Sequence, residues 1–297
     1  MDRSDTRTHD TSDQVTQRVG LIGYPVEHSL SPAFQQAAFD ALGIDAVYEL
    51  WPTPPEQLAA RVAGLRRPDV FGANVTVPYK TRAFELVDAS SEIARRANAV
   101  NTIINRDGRL FGDNTDVPGF LAPLHERGIV PASLSVVVLG AGGAARAVVV
   151  ALTDAGCRDI VVANRTPARA RAMLDALALD RSITVAGLDA TLAGRLAEAN
   201  LLVNATAVGW QGDALPLPEP LLDALAPGSL VYDLTYRETP LLQAAMRRGL
   251  PTLDGLPMLV HQGARSFQLW TGQEPPVALM LQAAQAARSG RTTTSGL

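Results

Sequence analysis

Lys80 is the residue of this sequence best suited to acid–base chemistry. It is the single lysine among 26 basic residues, all the others being arginine. An amine can lose its proton near neutral pH, whereas a guanidinium cannot. The segment ANVTVPYKT places Lys80 in the first turn of a helix predicted to begin near Pro78, where the helix dipole favours the neutral amine. The alternative is one chance lysine in an arginine-rich chain.

A glycine-rich segment, VVVLGAGGAARAVVVAL, predicts a dinucleotide-binding loop. Gly140, Gly142 and Ala145 form a GxGxxA pattern directly after an apolar strand and at the start of an Ala-rich helix. Glycines allow a tight turn and the close approach of a pyrophosphate, whose charge is met by free N–H groups at the helix N-terminus. A glycine-rich turn without a ligand is the alternative.

The end of the next strand indicates which dinucleotide binds. An NAD site usually offers an acidic residue about 20 positions further on, to accept hydrogen bonds from the ribose 2′-hydroxyl. Here the strand is followed by Asn164, Arg165 and Thr166, with Arg169 one turn later. Two guanidiniums without a carboxylate favour a 2′-phosphate, and therefore NADP. The alternative is a solvated helix start with incidental arginines.

Hydride transfer from an alcohol to such a cofactor requires a base for the hydroxyl proton, and Lys80 suits that role. Asp116, in the DNTD segment, is a candidate partner that holds the amine and passes on the proton. The Tyr-x-x-x-Lys pair of short-chain dehydrogenases is absent, because Thr76 stands four positions before Lys80. One cysteine and four scattered histidines predict no zinc site, and no metal is expected.

The elements that position these residues alternate in type along the chain. Short apolar or β-branched runs alternate with Ala-rich helical patterns, which is typical of a parallel sheet with helices on both faces. Strands are predicted in a first set at 19–24, 46–50, 70–77 and 99–105, and in a more hydrophobic second set at 135–139, 160–163, 201–204 and 230–234. Helices are predicted at 32–42, 55–65, 78–87, 257–270 and 275–288.

The predicted fold class is α/β with two domains. Residues 19–115 and the returning helices at 256–288 form an N-terminal α/β substrate domain, and residues 116–255 form a Rossmann-type, doubly wound dinucleotide-binding domain. A hinge is predicted near 113–118, where FGDNTDVPG concentrates turn-forming residues. Residues 1–18 and 289–297 are polar and are predicted to be flexible tails.

Composition excludes several classes of partner. The chain has 297 residues, 47% of them hydrophobic, and a net charge of −4, so we expect a large core and no broad cationic surface for nucleic acid. No apolar run approaches the roughly 20 residues that span a membrane, and the first 18 residues lack the apolar segment of a secretory signal. Cys157 has no partner for an internal disulfide. We expect a cytoplasmic protein with no membrane partner.

Taken together, the motifs resemble those of shikimate dehydrogenases over residues 19–288. The matching segments, in order, are GYPVEHSLSP, GANVTVPYK, NAVNTI, DNTD, GAGGAARA, ANRT, NATAVG and DGLPMLVHQG. The resemblance implies NADP-linked interconversion of shikimate and 3-dehydroshikimate, in the chorismate route to aromatic amino acids. A small-molecule substrate is therefore expected, with the chain acting as a monomer or a homodimer.

The resemblance also implies roles for individual residues. Lys80 and Asp116 match the catalytic pair. The substrate would be held by Ser29 and Ser31 at its carboxylate, by Thr76, Asn101 and Gln262 at its hydroxyls, and by Tyr236. The cofactor would be held by Gly140, Ala141, Gly142, Gly143 and Ala144 at the pyrophosphate, by Asn164, Arg165, Thr166 and Arg169 at the adenosine phosphate, and by Leu234 and Gly255 at the nicotinamide. Alternatively, the two serines cap the helix near Pro32, and Asn101 is a turn residue. His28 and His261 are interpreted as structural.

The chain departs from the family pattern in three places. Gln35 and Gln36 stand where His-Asn is common, Trp210 stands where Met is common, and the stretch Arg237-Glu238 after Tyr236 is short. These changes leave open a quinate/shikimate or aminoshikimate dehydrogenase on the same scaffold. A non-catalytic sensor of the same ligands is the other alternative, which the presence of Lys80 and Asp116 disfavours.

Overall fold

The first half of the chain folds around a six-stranded sheet. A computed structural model describes residues 15–179 and 183–294. The strands are β1 (Gln17–Gly23), β2 (Ala46–Pro52), β3 (Val70–Val75), β4 (Ala89–Ser90), β5 (Thr102–Arg106) and β6 (Arg109–Asp113). Their order across the sheet is β2-β1-β3-β5-β6-β4. Strand β1 pairs in parallel with β2 and β3, whereas β5 runs antiparallel to both β3 and β6.

The prediction of an all-parallel sheet is therefore wrong at β5. Asp107 and Gly108 connect β5 directly to β6, with φ of +53° and +83°. Positive φ at both central residues is typical of the two-residue turns that join antiparallel neighbours. The Asp-Gly pair, flanked by strand-forming residues, was the sequence signal for this hairpin.

The second sheet is parallel throughout. Its strands are β7 (Ser135–Leu139), β8 (Asp159–Ala163), β9 (Thr184–Ala186), β10 (Leu201–Asn204), β11 (Leu230–Asp233) and β12 (Thr252–Leu253). Their order is β12-β11-β10-β7-β8-β9, and each neighbouring pair is parallel. This is the doubly wound order, in which the chain reverses direction across the sheet between β7 and β10 and leaves a crevice at the carboxyl ends of these strands. The predicted Rossmann-type fold is confirmed.

Helices cover both sheets. They are α1 (Ser31–Ala41), α2 (Leu58–Ala63), α3 (Lys80–Leu86), α4 (Glu92–Ala97), α5 (Asp116–Glu126), α6 (Gly143–Asp154), α7 (Pro167–Leu177), α8 (Leu192–Glu198), α9 (Pro240–Arg247), α10 (Leu256–Thr271) and α11 (Val277–Thr294). The helix predicted at 55–65 is α2 flanked by two 3₁₀ turns, Pro55–Gln57 and Gly64–Arg66. Helices α4, α5, α8 and α9 were not predicted.

The last two helices return to the first sheet, as predicted. Phe267 of α10 packs on Phe39 of α1 with ring centroids 5.0 Å apart. The indole Nε1 of Trp270 donates a hydrogen bond of 3.0 Å to the carbonyl oxygen of Ile103 in β5. His261 pairs with Glu126 at 2.8 Å and joins α10 to α5, a contact that supports its interpretation as structural.

Parts of the two predicted flexible tails, residues 1–18 and 289–297, belong to regular secondary structure. Gln17 and Arg18 belong to β1, and Arg18 pairs with Glu49 of β2 at 2.8 Å, because backbone pairing in the sheet outweighs the polar composition. Helix α11 includes residues 289–294 of the predicted C-terminal tail. The rest of both predicted tails, residues 1–14 and 295–297, lies outside the described residues. Within the described ranges, no helix is both long enough and apolar enough to cross a membrane.

Candidate active site

Lys80 and Asp116 form the centre of the site. The Nζ of Lys80 lies 2.6 Å from Oδ2 of Asp116, although the two residues are 36 positions apart in the chain. Their side chains are only 16% and 6% exposed. Each is the first residue of its helix, Lys80 of α3 and Asp116 of α5. The N-terminal ends of these two helices therefore bring the amine and the carboxylate into contact.

Asn101 and Gln262 extend this pair into a chain of hydrogen bonds. The Nδ2 of Asn101 lies 2.9 Å from Oδ1 of Asp116 and 3.2 Å from Oε1 of Gln262. The Oδ1 of Asn101 accepts from the backbone N–H of Thr115 at 2.7 Å, which anchors the start of α5. Asn101 is 2% exposed and lies in the bend directly before β5.

Ser29 and Ser31 lie together, buried at the start of α1. The Oγ of Ser29 donates to Oγ of Ser31 at 3.1 Å and accepts from the N–H of Ser31 at 3.1 Å. The N-cap of α1 is Leu30, and Ser31 is the first helical residue, so Ser31 is not a cap. Tyr48 contacts Ser31 by a side-chain hydrogen bond, and burial raises the pKa of Tyr48 far above its usual range. Tyr48 is therefore a neutral hydroxyl at the serine pair.

A buried polar network beneath these residues was not among the predicted site residues. Ser266 Oγ lies 2.7 Å from Oγ1 of Thr102 and 3.1 Å from Oγ1 of Thr115, and it accepts from Nδ2 of Asn74 at 3.0 Å. Asn74 in turn accepts from the hydroxyl of Tyr48 at 2.8 Å. Asn74 is a polar residue inside an otherwise apolar strand, which was the sequence signal for this network.

Thr76 and Tyr236 each follow the last residue of a strand, Thr76 in the first sheet and Tyr236 near the end of β11 in the second. Thr76 follows β3, and its backbone N–H donates to the carbonyl oxygen of Ile22 at 2.8 Å. Tyr236 follows β11, and its hydroxyl donates to the backbone carbonyl oxygen of His28 at 3.4 Å. Tyr236 thus reaches from the second sheet to the segment before the serine pair.

The glycine loop between β7 and α6 has the shape of a pyrophosphate cradle. Gly140 has a φ of +117°, and a Cβ there would lie 3.0 Å from the carbonyl oxygen of Ala205. Gly142 is the N-cap of α6, and a Cβ there would meet no atom within 4 Å. A Cβ at Gly143 would lie 3.5 Å from Cδ of Lys80, so the loop borders the pair formed by Lys80 and Asp116. The open space at Gly142 and the free N–H groups of α6 fit a dinucleotide.

The segment that follows β8, residues 164–169, contains two arginines and no acidic residue. Asn164 Nδ2 donates to the carbonyl oxygen of Thr166 at 2.9 Å and shapes the turn into α7. Arg165 and Arg169 are exposed, and within the described ranges neither pairs with a carboxylate. Their guanidiniums are therefore available to a phosphate, as a 2′-phosphate requires.

Leu234 and Gly255 are in direct contact at the end of β11. A Cβ at Gly255 would lie 2.0 Å from the carbonyl oxygen of Leu234, so only glycine fits. The N–H of Gly255 donates to the carbonyl oxygen of Thr235 at 2.9 Å. The structure thus brings together these two positions, which were predicted to line one part of the cofactor.

Comparison with known proteins assigns this arrangement to a family. Three family models match consecutive parts of the chain: the shikimate dehydrogenase substrate binding domain at residues 21–103, shikimate / quinate 5-dehydrogenase at 128–209, and the shikimate 5'-dehydrogenase C-terminal domain at 255–285. The shikimate dehydrogenase (NADP(+)) of Moorella thermoacetica is 47% identical over 285 residues, which cover 93% of this chain and 96% of that protein. The chain belongs to the shikimate dehydrogenase family.

Solved structures of this family have the same fold. Shikimate 5-dehydrogenase from Thermus thermophilus, in complex with NADP(H) and shikimate, is 43% identical, with a TM-score of 0.81 over 91% of this chain and 99% of that one. The ligand-free 5-ketofructose reductase of Gluconobacter sp. strain CHM43 is 31% identical, with a TM-score of 0.78 over 91% of this chain and 98% of that one. A shared fold therefore extends to a relative named for a different substrate.

Proposed function

We propose that this chain is an NADP-dependent shikimate dehydrogenase, which interconverts shikimate and 3-dehydroshikimate in aromatic amino acid biosynthesis. The observation that carries the proposal is the 2.6 Å contact between Lys80 and Asp116, next to the glycine loop of the second sheet. Relatives at 42–47% identity that carry the name shikimate dehydrogenase (NADP(+)) support the same activity.

In the oxidative direction, the neutral amine of Lys80 accepts the proton of the reacting hydroxyl as the carbonyl forms. Bound NADP⁺ supplies the acceptor for the hydride that leaves the same carbon. Asp116 then stabilises the new ammonium through Oδ2, while Asn101 holds its Oδ1 in place. In the reverse direction the ammonium of Lys80 returns the proton to the carbonyl oxygen.

The substrate side of the site consists mainly of neutral hydrogen-bonding groups, which suits a small polyol acid. Ser29 and Ser31 bind the carboxylate, supported by the neutral hydroxyl of Tyr48 at Ser31. Thr76, Asn101 and Gln262 bind and orient the hydroxyls, and Tyr236 contacts the substrate. Asn101 and Gln262 already contact each other, so their amides are oriented before the substrate arrives.

The cofactor side is formed by the second sheet. Residues 140–144 would hold the pyrophosphate, Asn164, Arg165, Thr166 and Arg169 the adenosine phosphate, and Leu234 with Gly255 the nicotinamide. We infer two domains, residues 19–115 with 256–288 and residues 116–255, because each sheet has its own order and its own buried core. A cytoplasmic location and a monomeric or homodimeric state remain predictions.

The proposal is tested by measuring NADPH absorbance with purified protein. We expect the highest kcat/KM for shikimate with NADP⁺, and lower values for quinate and for NAD⁺. Faster oxidation of quinate would favour the quinate/shikimate alternative, and reduction of 5-ketofructose would place the chain with the Gluconobacter relative. No turnover of any of these substrates, with tight binding of shikimate retained, would favour the sensor.

A further inference from the structure

Trp210 lies between Tyr236 and Arg237 at the carboxyl edge of the second sheet. The rings of Trp210 and Tyr236 meet edge to face, with centroids 4.9 Å apart and planes at 74°. The guanidinium of Arg237 lies 5.0 Å from the centroid of Trp210, and its Nη1 donates to the backbone carbonyl oxygen of Trp210. Trp210 is thus held by Arg237 and contacts Tyr236.

The loop of Trp210 begins after Asn204 at the end of β10, and the loop of Tyr236 and Arg237 begins after Asp233 at the end of β11. Asn204 and Asp233 are both 0% exposed. Asn204 Nδ2 donates to Oδ2 of Asp233 at 3.0 Å. Asn204 also accepts from the hydroxyl of Thr206 at 2.7 Å, and Asp233 accepts from the hydroxyls of Thr235 at 2.5 Å and Thr239 at 2.8 Å. The hydrogen bond between Asn204 and Asp233 therefore joins the first residues of the two loops. The contacts of Trp210 with Tyr236 and Arg237 join their outer parts.

Tyr236 is held from both sheets: its ring packs against the hydrophobic core of the first sheet, and it contacts Trp210 beside its own loop. Its ring is only partly buried, and its hydroxyl makes a long contact of 3.4 Å with the carbonyl oxygen of His28. An edge-to-face ring contact restricts the rotation of the tyrosine side chain. The Trp210 ring is the aromatic neighbour that supplies this restriction.

We propose that Trp210 is a positioning residue, which holds Tyr236 at the substrate site, and that Arg237 acts by holding Trp210. This inference rests on the proposed function, because it takes shikimate as the substrate that Tyr236 contacts. Trp210 itself touches no reacting atom in this assignment. Its loss should therefore weaken substrate binding without changing proton transfer at Lys80.

The kinetic test compares Trp210→Ala, Trp210→Phe and Tyr236→Phe with the wild type. The free energy of an aromatic pair corresponds to a factor of about 2 to 13 in an equilibrium constant. We expect Trp210→Ala to raise the KM for shikimate by about that factor, with kcat within about twofold and the KM for NADP⁺ unchanged. Trp210→Phe keeps an aromatic edge and should restore most of the affinity. Arg237→Gln should give a smaller rise in the same direction.

Two comparisons separate positioning from a general structural effect. In a Tyr236→Phe background, Trp210→Ala should add little to the KM, because it acts through the tyrosine. The control is Met246→Ala, which shortens a half-exposed side chain on α9, a helix that packs on the second sheet. This variant should leave the KM for shikimate unchanged. The same rise in KM with and without the Tyr236 hydroxyl would overturn the proposal.

Hydrogen exchange provides a readout that needs no substrate. Backbone amides of residues 234–239 should exchange faster in Trp210→Ala than in the wild type, Trp210→Phe or Met246→Ala. Unchanged exchange in this segment would overturn the proposal even if KM rises. A wild type that does not oxidise shikimate would instead overturn the proposed function, and the exchange result would still decide whether Trp210 holds the loop of Tyr236.

Discussion

At the scale of single residues, the carboxylate of Asp116 has a separate partner for each oxygen. Oδ2 accepts from Lys80 at 2.6 Å and Oδ1 from Asn101 at 2.9 Å. The carboxylate is thereby oriented toward the amine without rotating during the reaction. If Lys80 is the base, as proposed, Asp116 therefore holds its amine in place before the substrate arrives.

Lys80→Arg tests the base. The variant keeps the positive charge and removes the amine that titrates, so kcat should fall by about 10²- to 10⁴-fold while the thermal unfolding temperature stays close to that of the wild type. Arg82→Gln is the control, because it removes an exposed cation of the same helix, whose ion pair is with exposed Glu85. Near wild-type kcat in Lys80→Arg would exclude Lys80 as the base.

Asp116→Asn and Lys80→Met test whether the two groups act as a unit. Each variant should lower kcat strongly, and the double variant should be little worse than the worse single one, because effects within one catalytic unit are not additive. Steady-state kinetics of the four proteins gives the coupling. Losses that multiply would show that Asp116 and Lys80 contribute independently.

Arg165→Ala and Arg169→Ala test the choice of cofactor. A hydrogen bond to a charged group contributes about 1.5–3 kcal/mol, so each variant should lower kcat/KM for NADP⁺ by about 10- to 150-fold and leave NAD⁺ almost unaffected. Arg171→Ala is the matched control, because Arg171, like Arg169, is an exposed arginine of α7. Parallel losses with both cofactors would show that the arginines support the fold instead of contacting the phosphate.

At the scale of elements, the contact between α5 and α10 determines where Gln262 lies. Gly119 of α5 faces α10, and a Cβ there would lie 2.7 Å from Cβ and 3.0 Å from the backbone nitrogen of Gln262. The two helices can therefore approach closely only because residue 119 has no side chain. Asp116 begins the same α5, so this contact links both sides of the site.

Gly119→Ala should push α10 away from α5. We expect a loss of about 1–3 kcal/mol in the free energy of unfolding, as for other overpacked positions, together with a raised KM for shikimate because Gln262 moves. Gly194→Ala is the control: it lies in α8, where a Cβ would meet nothing within 4 Å, and should be neutral or stabilising by up to about 1 kcal/mol. The free energy of unfolding in urea and the KM for shikimate are measured for both variants. The same values for Gly119→Ala and Gly194→Ala would show that α10 moves to accommodate the added methyl group without loss.

At the scale of the whole molecule, the two sheets meet around a cleft that several contacts bridge. Tyr236 reaches the backbone of His28, the Lys80 side chain lies against the glycine loop, and Arg96 of α4 pairs with Asp154 of α6. Substrate and cofactor enter between parts that are already in contact. Entry therefore requires a small opening motion.

Small-angle scattering tests this motion. We expect the radius of gyration to be larger for the free protein than for the protein with NADPH and shikimate, because the ligands add contacts across the cleft. Tyr236→Ala removes one bridge and should enlarge the free form further, while Met246→Ala should not. Identical profiles with and without ligands would indicate a preformed cleft.

The local features of the site were predictable from the sequence because each depends on neighbouring residues. Three local patterns each predict one function from neighbouring residues alone. They are a single lysine at a helix start, a GxGxxA turn after an apolar strand, and a strand end with two arginines instead of an acid. The parallel second sheet and the return of α10 and α11 followed from the apolar runs and helical patterns in the same way.

Only the tertiary structure decided which distant groups meet. Asn101 contacts Gln262 across 161 positions, and Ser266 joins a network with Thr102 across 164, because the sheet order and the packing of α10 bring them together. The turn-forming segment at 113–118 is buried at Asn114, Thr115 and Asp116, since Ala99 and Asn101 supply hydrogen bonds that water would otherwise provide. Such partners are set by three-dimensional packing, and residue order alone does not specify them.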